Sequence, residues 1–184
     1  IRHDPSTAAY HCNLGNALHE LDRLEDAEAS YRKALALDPD YARAHTSLGT
    51  TLQETGRLDE AVASHQQALA LNPDYAEAHA SLGNALKEMD RLEDAVASYR
   101  KAIALDPDLA GAHTNLGLVL QDQDNASLDA QLNDAVDHHR AGRLFEAEEI
   151  YRRILAVDPD YPFALCLLGT WLGFLLGQSL RKTG

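Results

Sequence analysis

Cysteine, aromatic rings and basic charge are all scarce in this chain, and each shortage removes a class of protein. Cys12 and Cys166 are its two cysteines. They lie too far apart, and are too few, for a disulfide framework or a metal pair, so both read as reduced thiols in a cytoplasmic setting. Aromatics make up only 6% of residues against 45% hydrophobic overall, so packing must rest on alanine and leucine. Sixteen Lys and Arg face 29 Asp and Glu, a net charge of -13. A phosphate backbone would be repelled by that balance, which argues against nucleic acid and for protein or peptide partners, including basic ones. No segment reads as a signal peptide. The long uncharged run, 162–176, falls short of the ~18 apolar residues of a membrane span.

What the chain does have is a period. Asn13-Leu14-Gly15 returns as Ser47-Leu48-Gly49, Ser81-Leu82-Gly83 and Asn115-Leu116-Gly117, a step of 34 residues each time. A repeat of that length is the mark of a helical solenoid, in which each unit packs only on its neighbours. Asp4-Pro5 matches Asp38-Pro39, so residues 1–7 read as the tail of a preceding repeat and the chain as a piece of something longer.

Residues 42–75 are the cleanest unit. Ala42, His45, Leu48, Gly49 and Leu52 recur at three- and four-residue spacing and form one apolar stripe on a first helix. Gly56 stops it. Ala61, Val62, His65, Ala68 and Leu69 form the stripe of a second helix, which Asn72-Pro73 ends, since the residue before proline is pushed out of the α region. Asp74 followed by Glu77 predicts a capping arrangement for the next helix. Small residues explain why such hairpins can stack. Gly15, Gly49, Gly83 and Gly117 on first helices, with Ala27, Ala61 and Ala95 on second ones, stand where helices approach closely. Glycine inside a helix costs about 0.5–1 kcal/mol relative to alanine, so its regular return says that close packing outweighs that cost.

These residues resemble the tetratricopeptide repeat family. Its pattern of Leu-Gly, Ala, aromatic, Ala and Pro is carried by Leu82, Gly83, Ala95, Tyr99, Ala102 and Pro107, and by Leu14, Gly15, Ala27, Tyr31, Ala34 and Pro39; Pro73 closes the unit between. The resemblance covers nearly the whole chain. It implies an all-α right-handed superhelix of antiparallel helix pairs, about ten helices long. Two departures stand out. The family's aromatic near the start of the first helix is replaced by His11, His45, His79 and His113, and the turn glycine by Asp22 and Asp90.

The units are then 8–41, 42–75 and 76–109, followed by a fault. The glycine after Gly117 in this register is Gly169, a step of 52, or one repeat plus 18. Residues 110–127 are a half repeat, a first helix without its second, and 128–161 a fresh repeat carrying Ala135, Gly142, Ala147, Tyr151, Ile154 and Pro159. Two outcomes follow. Residues 128–141 pack in the vacant second-helix position, which is the expectation. Alternatively 110–141 form one long helix, which would invite exchange of the C-terminal part with another copy. Residues 162–176, with Trp171 and Phe174, read as an unpaired first helix and a second route to a homodimer; 177–184 match no repeat.

Nine histidines invite a metal reading. Four recur with the period on successive hairpins about 10 Å apart, whereas a metal gathers its ligands at ~2 Å around one point, so packing is the expectation. His138-His139 point in different directions on one helix and read as solvated. The acids cluster as Leu-Glu-Asp-Ala at second-helix starts, where the helix dipole favours them by about 0.3–1 kcal/mol. No nucleophile elbow, phosphate loop or metalloprotease motif occurs. Asn125-Ala126-Ser127 matches a glycosylation acceptor, discounted with nothing pointing to secretion. No catalysis, cofactor or metal is implied.

The resemblance places the inner face of the first helices along a concave groove. Here that face holds Asn13, Asn16, Ser47, Thr50, Ser81, Asn84 and Asn115, with Asn133 further on. An asparagine amide offers donor and acceptor together, so such a row suits an extended peptide backbone. As a solvated row, Asn13, Asn84 and Asn115 are expected to be removable without loss of stability. His19, Lys87, Glu20, Glu54 and Glu88 would bias which peptides enter. The family's carboxylate clamp for chaperone tails needs cations, and the matching columns hold Cys12, Asn16, Ser47, Glu77 and Ser81, so that mode is not expected. The implied function is a non-catalytic protein-interaction scaffold, with a module that self-assembles through its exposed ends as one alternative. The His…Asn/Ser-Leu-Gly-Asn columns also resemble the repeat arms of bacterial proteins similar to O-linked N-acetylglucosamine transferases, in which a separate domain does the chemistry.

Overall fold

The computed structural model describes residues 5–169, and the regular structure within them is helical. Eight helices follow in order: α1 (Pro5–Glu20), α2 (Leu24–Leu37), α3 (Ala42–Glu54), α4 (Leu58–Leu71), α5 (Ala76–Glu88), α6 (Leu92–Leu105), α7 (Ala110–Arg140) and α8 (Leu144–Val157). A further helical segment begins at residue 162. Most of the 1–7 tail, the apolar residues Trp171 and Phe174, and the segment 177–184 lie outside the described residues. The chain divides into two compact units, Ile1–Leu120 and Gln121–Gly184.

In the first unit, α1 packs on α2, α3 on α4 and α5 on α6, and the pairs join through α2 with α3 and α4 with α5. First helices also touch first helices, α1 with α3 and α3 with α5, so they form one continuous wall. The seam inside each pair is lined by alanines at the fourth and eleventh positions of the second helix. Ala27 and Ala34, Ala61 and Ala68, and Ala95 and Ala102 are all fully buried. Side chains this short let the helices close, and a larger one would add about 1–3 kcal/mol of overpacking strain.

The periodic glycines make room for rings. A Cβ built on Gly15 would lie 2.5 Å from Tyr31, one on Gly49 2.6 Å from His65, and one on Gly83 2.6 Å from Tyr99. Each ring comes from the eighth position of the second helix of the same pair. Gly117 departs from this expectation, with nothing within 4 Å of the added atom. Its second helix is the one that the sequence lacks, so no ring arrives.

The turns inside the pairs share one hydrogen-bond pattern. Arg57 N–H donates to the Leu52 carbonyl and Gly56 N–H to Gln53, both at 2.9 Å, the double bond of a left-handed helix stop. Gly56 and Gly142 adopt φ +76° there, and Asp22 and Asp90 take the same place at φ +58°. Between pairs, the side chain of Asp38, Asn72 or Asp106 accepts the backbone N–H two residues on, at 3.0–3.3 Å. That Asx turn replaces the cap expected from Asp74: α5 has Tyr75 at its N-cap and no side-chain cap bond.

The fault in the period resolves against the favoured expectation. Residues 128–141 do not fold back into the vacant position, because α7 runs unbroken from Ala110 to Arg140. No glycine or proline lies between Leu118 and Ala141, so nothing in the sequence opens the backbone hydrogen-bond ladder there. In the second unit, Leu128 and Ala135 of α7 pack with Ala147, Ile150, Tyr151 and Ile154 of α8 and with Ala164.

Candidate peptide groove

The wall of first helices carries the polar row, and the structure sorts it into tethered and untethered residues. Tyr31 donates its phenol to Asn16 Oδ1 at 2.9 Å, and Tyr99 donates to Asn84 Oδ1 at 2.8 Å. The two tyrosine rings are buried, and desolvation pushes both phenols up to about 12, so they stay protonated donors. Asn115 donates its Nδ2 to the same Asn84 oxygen at 2.8 Å. Each tethered asparagine has its acceptor engaged, which fixes the amide with its Nδ2 donors turned away from the ring. Asn13 is exposed, and Ser47 and Ser81 are half-buried. Thr50 returns its hydroxyl to the Thr46 carbonyl at 3.2 Å, which satisfies it within its own helix.

The expectation that Asn84 can be removed without loss of stability needs correction. It holds a buried phenol and a neighbouring amide, so it belongs to the packing as well as to the groove. Repeat two shows the same logic by exception. It has Thr50 where its neighbours have asparagine and His65 where they have tyrosine, and neither ring nitrogen of the fully buried His65 finds a partner. Burial alone lowers its pKa to about 4, so the imidazole is neutral. In the second unit Val136 stands fifteen residues before Tyr151, and that buried hydroxyl is likewise unpartnered.

Between the first two repeats the groove deepens into a recess of about 260 Å³ lined by Asn16, His19, Glu20, Tyr31, Ser47 and Thr50. Three of the seven groove residues meet there, and Asn84 and Asn115 meet one another further along. Beside the recess His19 Nε2 lies 3.0 Å from a Glu54 oxygen without forming a hydrogen bond, and between the next repeats Gln53 donates to Glu88 at 2.6 Å. Glutamate thus recurs at one height along the wall, as Glu20, Glu54 and Glu88.

The histidine column is explained by turns. His45, His79 and His113 place Nε2 2.9 Å from the carbonyls of Pro39, Pro73 and Pro107, tying each first helix to the turn before it. The spacing of six residues, fixed by the repeat, was the available signal. His138 accepts from Arg143 at 2.9 Å, so it is not merely solvated. Among the described residues no three His, Cys, Asp or Glu side chains gather as a metal site, and no helix is long and apolar enough to cross a membrane. Cys12 is buried and Cys166 exposed, both as free thiols. A second recess, about 440 Å³ and lined by Arg32, Leu35, His45, Leu48 and Ser64 among others, was not anticipated; small outer residues such as Ala36 and Ala63 leave it open.

Stacked helical hairpins, a wall of first helices and a polar groove define a solenoid interaction module. The chain belongs to the TPR repeat family: that family pattern matches residues 15–56, 52–90 and 83–124, together more than half of the chain. Solved structures agree. The first TPR of Spaghetti (RPAP3), bound to the HSP90 peptide SRMEEVD, is 23% identical with a TM-score of 0.63, over 65% of this chain and 95% of that one. The second TPR domain of human RPAP3, in complex with an HSP70 peptide, is 23% identical with a TM-score of 0.60, over 63% and 98%. A Thermobaculum terrenum O-GlcNAc transferase is 27% identical with a TM-score of 0.63; 65% of this chain is covered but only 23% of that one. No curated protein matches.

Proposed function

We propose that this chain is a non-catalytic protein-interaction scaffold, cytoplasmic, that holds an extended peptide segment along the wall formed by α1, α3, α5 and the start of α7. The observation that carries the reading is the tethering of Asn16 and Asn84 by buried tyrosines. A fixed amide presents its Nδ2 donors to a ligand carbonyl without first paying to order a side chain. Asn13, Ser47, Ser81 and Asn115 add polar contacts beside them, and the recess at Asn16 takes one ligand side chain. Peptide binding by the RPAP3 domains supports the mode in general. The carboxylate clamp is a poor fit here, because Cys12 is buried and Glu77 would repel a terminal carboxylate. The repeats 8–41, 42–75 and 76–109 form the binding part on this reading.

The test is selection of peptides from a random-sequence display library, followed by titration of the best binder into the chain. Saturable binding weakened several-fold by Asn16→Ala supports the groove; binding that ignores this change and Ser47→Trp alike removes it. A second reading rests on the 27% identity to the O-GlcNAc transferase: the chain is the substrate-recognition arm of a larger glycosyltransferase. Sequence of the gene on both sides of this segment decides it by the presence or absence of a glycosyltransferase domain.

A further inference from the structure

The first half of α7 has the build of a first helix with its second helix missing, and the missing surface can be read from its neighbours. Gly15, Gly49 and Gly83 are buried under the rings of Tyr31, His65 and Tyr99. Gly117, in the same register, is exposed with open space over it. Leu116 and Leu120 are only partly buried, as Leu18 is at the other end of the row, where Leu14 is exposed, whereas Leu48, Leu52, Leu82 and Leu86 between them are buried. Beside them Leu118 is 49% exposed. This face continues the row of interfaces made by α1 with α2, α3 with α4 and α5 with α6. Its backbone is that of a helix-pair seam with one side uncovered.

We propose that residues 110–120 dock an amphipathic helix from another polypeptide in the vacant second-helix position. The neighbours specify its chemistry. In the first unit α2, α4 and α6 each have alanine at the fourth and eleventh positions, which lets the backbones close, and a ring at the eighth, which fills the space over the glycine. The eighth residue of the incoming helix is phenylalanine. Where the phenol of Tyr31 or Tyr99 meets an asparagine oxygen, the equivalent residue on α7 is Leu118, which accepts nothing and would leave a hydroxyl unpaired. A second copy of this chain is a poor source, because α2, α4, α6 and α8 are each already packed on a first helix of their own. The site adjoins the end of the peptide groove at Asn115, but it rests on the glycine face of α7 and not on peptide binding.

The test uses the full chain and a fluorescein-labelled 14-residue peptide with the sequence of residues 92–105, its eighth residue changed from tyrosine to phenylalanine. Anisotropy should show saturable binding, weakened about tenfold or more when that phenylalanine becomes alanine. Gly117→Leu should abolish binding without lowering the melting temperature of the chain, because its side chain enters open space. Failure to bind up to ~1 mM peptide, or binding indifferent to Gly117→Leu, overturns the proposal. A concentration-dependent dimer that Gly117→Leu converts to monomer also overturns it, by naming a second copy as the occupant.

Discussion

The phenol of Tyr99 donates to Asn84 Oδ1 across 2.8 Å, and the same oxygen accepts from Asn115, so one amide joins a second helix to two first helices. The groove face and the packing core are therefore not independent layers. A change at Asn84 alters both.

Replacing Asn84 with alanine leaves the buried Tyr99 hydroxyl without its partner, a loss of about 1–3 kcal/mol. Asn13→Ala, at an exposed position with no such task, is expected to unfold like the parent. Urea denaturation followed by circular dichroism compares the two. Equal midpoints would mean that the tether does not contribute to stability.

Gly83 and Gly117 occupy one register in successive repeats yet are expected to respond in opposite directions. Gly83→Ala drives a methyl to 2.6 Å from the Tyr99 ring and should destabilise by about 1–3 kcal/mol. Gly117→Ala meets nothing and should stabilise by about 0.5–1 kcal/mol, the ordinary helix preference for alanine. The signs of the two melting-temperature shifts are the readout.

This contrast also marks what could be read beforehand. The period fixed the helix pairs, and the recurring glycines pointed to tight contacts. Which atoms made those contacts was not legible, because Gly83 and Tyr99 are sixteen residues apart and look like separate motif positions. The pairing of Asn84 with Tyr99 was hidden for the same reason: each made sense alone, one as a groove residue and one as core. The covariation of Thr50 with His65, against asparagine with tyrosine in both flanking repeats, was the signal that linked them. The continuity of α7 was undecided because a glycine-free segment permits either a bend at a polar stretch or an unbroken helix. Asp122, Asp124, Asn125 and Ser127 are weak helix formers, but no glycine or proline breaks the run, and no second helix was present to draw the chain back.

Asp22 and Asp90 hold the left-handed place that Gly56 and Gly142 fill elsewhere. A side chain there is strained, though aspartate tolerates the region better than most. Asp22→Gly and Asp90→Gly should each raise stability by about 0.5–1 kcal/mol, while Gly56→Ala should lower it by a similar amount. Thermal melts at pH 7 test all three. A lower melting temperature for both aspartate variants would show that the carboxylates contribute more than the strain costs.

His65 gives the first unit an acid-sensitive point. Its unfolded pKa of 6.5 falls to about 4 on folding through burial, with no charged neighbour contributing to the shift. The native state thus binds fewer protons between those values. Stability from this group is complete above pH 6.5, declines as pH falls toward 4 and levels off below it. At ~1.4 kcal/mol per pH unit the total is at most about 3 kcal/mol. His65→Phe should flatten this part of the pH–stability profile, measured by urea unfolding at pH 4, 5, 6 and 7. An unchanged slope would place the pH dependence on other groups.

The most direct test of the peptide groove is observation of the asparagine side chains themselves. In a ¹⁵N-labelled chain, the Nδ2 amide resonances of Asn16 and Asn84 can be followed while a library-selected peptide is added. The account predicts that both shift progressively and saturate together with the peptide's own signals, with Asn13 and Asn115 moving less. Shifts confined to the outer recess around Arg32, Leu35 and Ser64, with Asn16 and Asn84 unmoved at saturation, would contradict it.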